Sequence, residues 1–187
     1  DEGVKNAMLN KLELKLDSHM FQLLGEHMDV LSQKLYGLNE ETILHMDFVR
    51  GNLLFEDCKK DFVQNKKFQI EDICLSGILD FEKTSLGNPV YDIARTLAFL
   101  IVDCKFKEEN KVRKYFLESG YFKHGLDMKF NAQTLVEKSS LDTLMLFFWV
   151  YDFYKFMLHN PYEYLCQNEH FTRTRNILIK KGMVKWL

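Results

Sequence analysis

One short segment of this chain combines residue types at a spacing that suits chemistry on phosphate. In residues 45–52, HMDFVRGN, Asp47 follows His45 by two positions and Asn52 follows Asp47 by five. Further along, Asp80 ends an apolar run and precedes Phe81. Phosphoryl transfer from a nucleotide needs a carboxylate at the acceptor hydroxyl and oxygen ligands for the magnesium ion on the phosphates. The segment supplies residue types that suit both tasks.

The residues around this segment reduce the chance that its spacing is an accident. A His-x-Asp-x-x-x-x-Asn match alone arises by chance in on the order of a few per cent of chains of this composition. Here Ile43 and Leu44 precede it, the apolar residues 53–55 follow it, and a second apolar run ends at Asp80. The pattern predicts a strand, a functional loop and further strands.

Three ordered blocks resemble one known family. Residues 43–55 resemble the catalytic loop of the aminoglycoside phosphotransferase and choline kinase family of small-molecule kinases. Residues 77–82, GILDFE, resemble that family's metal-binding strand end, and residues 86–94, LGNPVYDIA, resemble the segment that follows it. The resemblance implies the C-terminal lobe of a protein-kinase-like fold and ATP-dependent phosphorylation of a small molecule.

The resemblance also implies roles for individual residues. Asp47 would be the catalytic base or would orient the acceptor hydroxyl, and Asn52 and Asp80 would be the ligands of Mg²⁺. His45 would brace the loop. Asp92 would accept hydrogen bonds from the loop, or would simply be a carboxylate that stabilises a helix N-terminus. The co-substrate would be ATP or another nucleoside triphosphate, and the acceptor a sugar, aminoglycoside, choline-like amino alcohol or amino-acid-like compound.

Two positions depart from the protein-kinase pattern and favour the small-molecule branch. Protein kinases have Arg and Gly where this chain has Met46 and Glu82. Glu82 could contact substrate or metal, or could face solvent. Asp152 lies in the aromatic run of residues 147–154 and is a possible substrate contact, because aromatic rings and carboxylates can enclose a cationic acceptor. The alternative for this run is a buried helix that packs on all sides.

Composition and the remaining polar residues exclude several other classes. The net charge of −2 gives no indication of a nucleic-acid or membrane surface. The histidines form no zinc-hydrolase pattern, and no serine lies in a Gly-x-Ser-x-Gly elbow. The four cysteines are scattered, and the apolar neighbours of Cys74 and Cys104 predict buried thiols in a reducing compartment. With no signal-peptide pattern, we expect a cytoplasmic protein.

Periodicity predicts a predominantly helical α+β fold with a small antiparallel β element. Helical spacing covers residues 4–38, with a possible break at Gly25, and returns from residue 90 onward. The later helices are predicted at residues 107–119, 131–139, 141–158 and 168–181, and strands at 43–44, 53–55 and 70–81. Residues 83–89 are predicted to form a loop, residues 56–67 a surface excursion, and the basic residues 173–181 a solvated helix face.

A nucleotide-gripping lobe is not recognisable in the sequence. No Gly-rich loop and no Val-Ala-x-Lys-like strand precede His45. We therefore expect residues 1–187 to form one catalytic lobe, to lack the N-terminal kinase lobe and to be inactive alone. The hypothesis from a different class is a catalytically silent kinase-like domain used as a binding scaffold, although a scaffold would need none of Asp47, Asn52 and Asp80.

Overall fold

The computed structural model describes residues 14–36, 42–57, 73–124, 138–159, 165 and 167–186. The helices are α1 (Ser18–Tyr36), α2 (Val90–Asp103), α3 (Glu109–Lys114), α4 (Lys138–His159) and α5 (Glu169–Lys180). A π-helical segment, Tyr115–Tyr121, continues α3 and is followed by a helical turn, Phe122–His124. The strands are β1 (Leu14–Leu16), β2 (Thr42–Leu44), β3 (Leu53–Asp57), β4 (Ile73–Ile78), β5 (Ser85–Gly87) and β6 (Val184–Trp186).

The six strands form three two-stranded antiparallel sheets: β1 with β6, β2 with β5, and β3 with β4. The described residues therefore confirm a predominantly helical α+β fold with small antiparallel sheets. Two of these sheets position the polar segment, because β2 leads into residues 45–52 and β3 leaves it. The chain then returns along β4 to Asp80 and along β5 to the start of α2.

The core lies mainly between α2 and α4. Helical spacing in α2 places Ala94, Leu97 and Ala98 on one face, and all three are essentially inaccessible to solvent. They pack with residues of α4 that include the fully buried Leu144. The indole Nε1 of Trp149 donates a hydrogen bond to the carbonyl oxygen of Ala98 at 3.0 Å, so the polar atom of this buried ring is satisfied. The core fixes the helix whose first turn reaches the polar segment.

Helices α2, α4 and α5 agree with the predicted segments, whereas the N-terminal prediction was partly wrong. Residues 14–16, which we expected in a helix, form β1 and pair with β6. Helix α1 runs without interruption through Gly25. The strand β1 was missed because its partner lies at the other end of the sequence, and helical periodicity in a short window does not report such pairing.

Four further boundaries differ from expectation. The predicted loop of residues 83–89 contains β5, and the predicted strand of residues 70–81 ends at Ile78, so Asp80 lies beyond the strand. The predicted helix at 107–119 is α3 followed by the π-helical segment. Of the predicted excursion, residues 56 and 57 belong to β3 and the rest lies outside the described residues, as do residues 131–137 of another predicted helix.

The expectation of a buried thiol at Cys74 was wrong. Cys74 is exposed on β4 and is disulfide-bonded. Cys104, at the end of α2, is a half-buried free thiol. Disulfides persist mainly in oxidising environments, so Cys74 no longer supports the predicted reducing compartment.

The aromatic run and the basic stretch each differ in part from the prediction. In the aromatic run, Phe148, Trp149 and Phe153 are buried, but 40% of Tyr151 is exposed, so α4 is not covered on all sides. In the basic stretch, Lys180 and Lys181 are exposed as expected, whereas Arg173 is half-buried and donates a hydrogen bond to the carbonyl oxygen of Val102. Within the described part of the chain, no helix combines the length and apolarity needed to cross a membrane.

Candidate active site

The polar segment is held at its beginning by a carboxylate of α2. Asp92, in the first turn of that helix, accepts hydrogen bonds from the backbone N–H of His45 through Oδ2 at 2.7 Å and of Met46 through Oδ1 at 2.6 Å. Such charge-assisted bonds are stronger than bonds between neutral groups. Both carboxylate oxygens of Asp92 therefore accept hydrogen bonds from the loop. This contact corresponds to the first of the two roles predicted for Asp92, that of a hydrogen-bond acceptor for the loop.

The imidazole of His45 joins the loop to the residue before Asp80. Its Nε2 lies 2.9 Å from the carbonyl oxygen of Leu79, and its Nδ1 lies 3.3 Å from the backbone nitrogen of Asp47. These partners assign the proton to Nε2, which donates to the carbonyl, and leave Nδ1 as the acceptor. The ring also packs against Phe81, with 4.8 Å between the ring centroids. His45 thus connects the segments that carry Asp47 and Asp80.

Asn52 closes the loop at its other end. It ends a 3₁₀ turn, Arg50–Asn52, and its side-chain Nδ2 donates a hydrogen bond to the carbonyl oxygen of Asp47 at 2.9 Å. Its own carbonyl oxygen accepts the backbone N–H of Leu79 at 2.8 Å. Because Nδ2 is committed to the loop, Oδ1 is the atom of this amide that remains for a ligand.

Asp80 is exposed directly after β4, beside this turn. Its backbone adopts a left-handed conformation with φ of 63°, and Met46 does the same with φ of 59°. Aspartate adopts this conformation more readily than most residues other than glycine, whereas for a methionine it costs about 1–3 kcal/mol and is found preferentially at functional sites. The strained Met46 lies immediately before Asp47.

The carboxylate of Asp47 is buried and contacts two cations that were not among the predicted site residues. The Nζ of Lys83 donates to Oδ2 at 2.6 Å, and an Nη of Arg95 lies 3.6 Å from Oδ1. The Lys83 side chain is 45% exposed, whereas that of Arg95 is 8% exposed. A single lysine in a turn gave no signal. Arg95 could have been noticed as the only basic residue of α2, a helix whose sequence is largely apolar.

Asp152 of α4 extends this charged cluster. Its Oδ1 lies 3.7 Å from the second Nη of Arg95. Burial raises the pKa of the Asp152 carboxyl above its ordinary value, and the positive charge of Arg95 opposes that increase. Glu82, the other predicted substrate contact, is exposed in the turn after Phe81. The structure therefore brings Asp152 to Asp47 through Arg95.

The oxygen atoms of Asn52 and Asp80 suit a magnesium ion that is also bound by substrate phosphates. Among residues 14–36, 42–57, 73–124, 138–159 and 167–186, no three His, Cys, Asp or Glu side chains are grouped to hold a metal ion. Asn52 and Asp80 offer an amide oxygen and a carboxylate on adjoining segments. Magnesium prefers oxygen ligands and is usually bound by one or two carboxylates together with substrate phosphates and water. Asn52 and Asp80 therefore fit such an ion.

A separate cavity of about 460 Å³ lies between α2, α3 and the π-helical segment. Its lining is largely apolar and includes Cys104 and Tyr121. The pKa of Tyr121 is raised by burial and, to a lesser extent, by the negative charge of Asp92. Neither Asp47 nor Asp92 lines this cavity.

Comparison with known proteins identifies a family to which the chain is similar. The model of a family described as "phosphotransferase enzyme family" matches residues 4–112, which is more than half of the chain and includes the loop, Asp80 and α2. No curated protein and no solved structure gives a significant match.

Proposed function

This chain belongs to the phosphotransferase enzyme family, and we propose that it carries the catalytic lobe of an enzyme that transfers a phosphoryl group from ATP, or another nucleoside triphosphate, to a hydroxyl of a small molecule. The observation that carries this proposal is the buried carboxylate of Asp47 on a loop braced by Asp92 and His45. Asn52 and Asp80 adjoin that loop with oxygen atoms that suit Mg²⁺.

In this proposal, Asp47 positions the acceptor hydroxyl and receives its proton. The acceptor oxygen forms a bond to the terminal phosphorus, and the bond from that phosphorus to the oxygen of the leaving diphosphate breaks. Lys83 occupies Oδ2 of Asp47 at 2.6 Å, so an acceptor that uses this oxygen displaces the lysine. The protein contributes mainly position and charge, as is usual in phosphoryl transfer.

Mg²⁺, when bound, neutralises charge on the phosphates and holds them in line with the acceptor. Asn52 and Asp80 are the residues that would hold it. The Nδ2 of Asn52 is fixed on the Asp47 carbonyl, which directs the amide oxygen away from that bond. This arrangement supports the predicted ligand pair.

The parts that grip the nucleotide are proposed to lie outside this sequence. Apolar side chains of β3 and β4 that adjoin the loop and Asp80 are exposed, including Leu54 at 46%, Phe55 at 57% and Leu75 at 50%. Large exposed apolar surfaces mark sites for ligands or partners. An N-terminal kinase lobe and the flat ring of a nucleotide base would cover this surface.

Replacement of the proposed base tests the assignment. In the full-length protein we expect Asp47→Asn to lower kcat by about 100-fold or more, since it removes the proton acceptor, while nucleotide binding in the presence of Mg²⁺ persists. Phosphate transfer would be measured against a panel of sugars, amino alcohols and aminoglycosides, and nucleotide binding by calorimetry with and without Mg²⁺. Asp29→Asn, at an exposed position of α1, is the matched control.

Two results would overturn the proposal. One is transfer by the Asp47→Asn protein at the rate of the unmodified protein. The other is the absence of Mg²⁺-dependent nucleotide binding by the full-length protein, which would favour the silent scaffold. No activity is expected from residues 1–187 alone.

A further inference from the structure

A buried arginine lies between two carboxylates that belong to different elements. One Nη of Arg95 is 3.6 Å from Oδ1 of Asp47 on the loop, and the other is 3.7 Å from Oδ1 of Asp152 on α4. The exposed fractions of the Asp47, Arg95 and Asp152 side chains are 10%, 8% and 13%, respectively. The cluster therefore links the proposed base to the longest helix of the described structure.

The guanidinium group of Arg95 is fixed by aromatic rings. It lies 5.0 Å from the ring centroid of Phe99 and 5.3 Å from that of Phe148. These distances are within the range of cation–π attraction. Its Nε is buried without a hydrogen-bond partner among the described residues. A buried polar atom without a hydrogen-bond partner lowers the stability of the fold. Stability alone therefore does not explain a charged arginine at this position.

The two cations at Asp47 therefore have different freedom of movement. Lys83 has a flexible stem that is 45% exposed, and it can leave the carboxylate when an acceptor arrives. Arg95 cannot move away from Asp47 in the same way, because Phe99, Phe148 and Asp152 restrain its guanidinium group. Its planar group can face two carboxylates at once, which the compact ammonium of a lysine does less well.

We propose that Arg95 is a positioning residue for the phosphoryl transfer and that Asp152 acts through it. Arg95 holds Oδ1 of Asp47 and so leaves Oδ2 to face the acceptor hydroxyl. Asp152 in turn holds the far side of the guanidinium group. This inference rests on the proposed function and assigns a role in that same site to Arg95, which the sequence motif does not include.

A double-mutant cycle on the full-length protein tests the inference. Arg95→Met is expected to lower kcat ~10- to 100-fold with less than about a threefold change in the KM for the nucleotide, because the base is misplaced while the nucleotide contacts remain. Asp152→Asn alone is expected to lower kcat by about 10-fold or less. Combined with Arg95→Met, it should cause no further loss, because Asp152 then has nothing to act through. Arg95→Lys should recover part of the kcat.

Arg113→Met is the matched control. Arg113 also faces two carboxylates, Glu109 at 2.8 Å and Asp142 at 2.6 Å, and so ties α3 to α4 away from Asp47. Its replacement should lower the melting temperature without changing kcat. If Arg95→Met is too unstable to assay, the Arg95→Met/Asp152→Asn protein is assayed in its place. The double variant removes the charge of Asp152 that Arg95→Met would leave buried without Arg95.

The outcomes separate this inference from the proposed function. A kcat of the double variant equal to that of the unmodified protein would show that Arg95 is only structural, and additive effects of the two substitutions would show that Asp152 acts independently. Either result overturns the inference while the transfer by the unmodified protein, and its loss in Asp47→Asn, still stand. No transfer by the unmodified protein would instead overturn the proposed function.

Discussion

At the scale of single residues, Lys83 is the group whose partner must change during a reaction at Asp47. The hydrogen bond from its Nζ to Oδ2 uses the oxygen that an acceptor hydroxyl would need. A displaced ammonium group next to a transferring phosphoryl group is attracted to the negative charge there, and such positioned cations stabilise the transition state. Lys83 was not predicted, and only its place beside Asp47 identifies it.

We expect Lys83→Met to lower kcat of the full-length protein by about 10- to 100-fold, since a cation near the transferring group is lost. Lys105→Met is the matched control, because the Lys105 side chain is also 45% exposed and its Nζ also contacts a carboxylate, that of Glu169 at 2.6 Å. Steady-state kinetics on both proteins would measure the difference. A Lys83→Met protein that is faster than the unmodified protein would show instead that Lys83 competes with the acceptor.

At the scale of secondary-structure elements, the start of α2 determines where the loop lies. The helix is anchored in the core by buried residues such as Leu97, and its first turn places Asp92 against the backbone of His45 and Met46. The end of β2 supplies the other constraint through its pairing with β5. A change at Asp92 should therefore affect the loop more than the helix.

We expect Asp92→Asn to destabilise the fold by about 1–3 kcal/mol, because an amide can accept only one of the two backbone donors with its oxygen and turns its NH₂ toward the other. Hydrogen exchange of the His45 and Met46 amides should become faster, and kcat of the full-length protein should fall by about 10- to 100-fold. Asp103→Asn, at the other end of the same helix, should leave both unchanged. Unaltered protection of the two amides in Asp92→Asn would contradict this account of the loop.

At the scale of the whole molecule, packing of α2 on α4 holds the cluster together. Arg95 comes from α2 and Asp152 from α4, and buried residues of both helices, such as Leu97 and Leu144, belong to one core. The distance between the two charged residues is therefore a consequence of core packing. Loss of that packing should weaken the site as well as the fold.

We expect Leu144→Ala to destabilise the protein by about 2–5 kcal/mol, since this fully buried side chain would leave a cavity. For a chain of this size the melting temperature should fall by about 5–15 °C. Val30→Ala, at a position of α1 that is 56% exposed, should change stability by less than about 0.5 kcal/mol. Thermal unfolding followed by circular dichroism would measure both, and similar shifts in the two proteins would contradict the assignment of the core.

The sequence by itself determined the features that depend on short spacing. The predominantly helical fold, helices α2, α4 and α5, and membership of the phosphotransferase family followed from periodicity and from three ordered motifs, and all are confirmed. Neighbours along the chain impose these patterns, so a local window contains them. The roles of Asp47, Asn52 and Asp80 stay predictions, which the proposed experiments test.

Only the tertiary structure decided which distant groups meet. Lys83 reaches Asp47 across 36 positions of sequence, and Arg95 joins Asp47 to Asp152 through helix packing. The pairing of β1 with β6 is likewise long-range. Burial and charge in the folded chain determine these contacts. The periodicity of one segment does not identify the distant segment that it contacts.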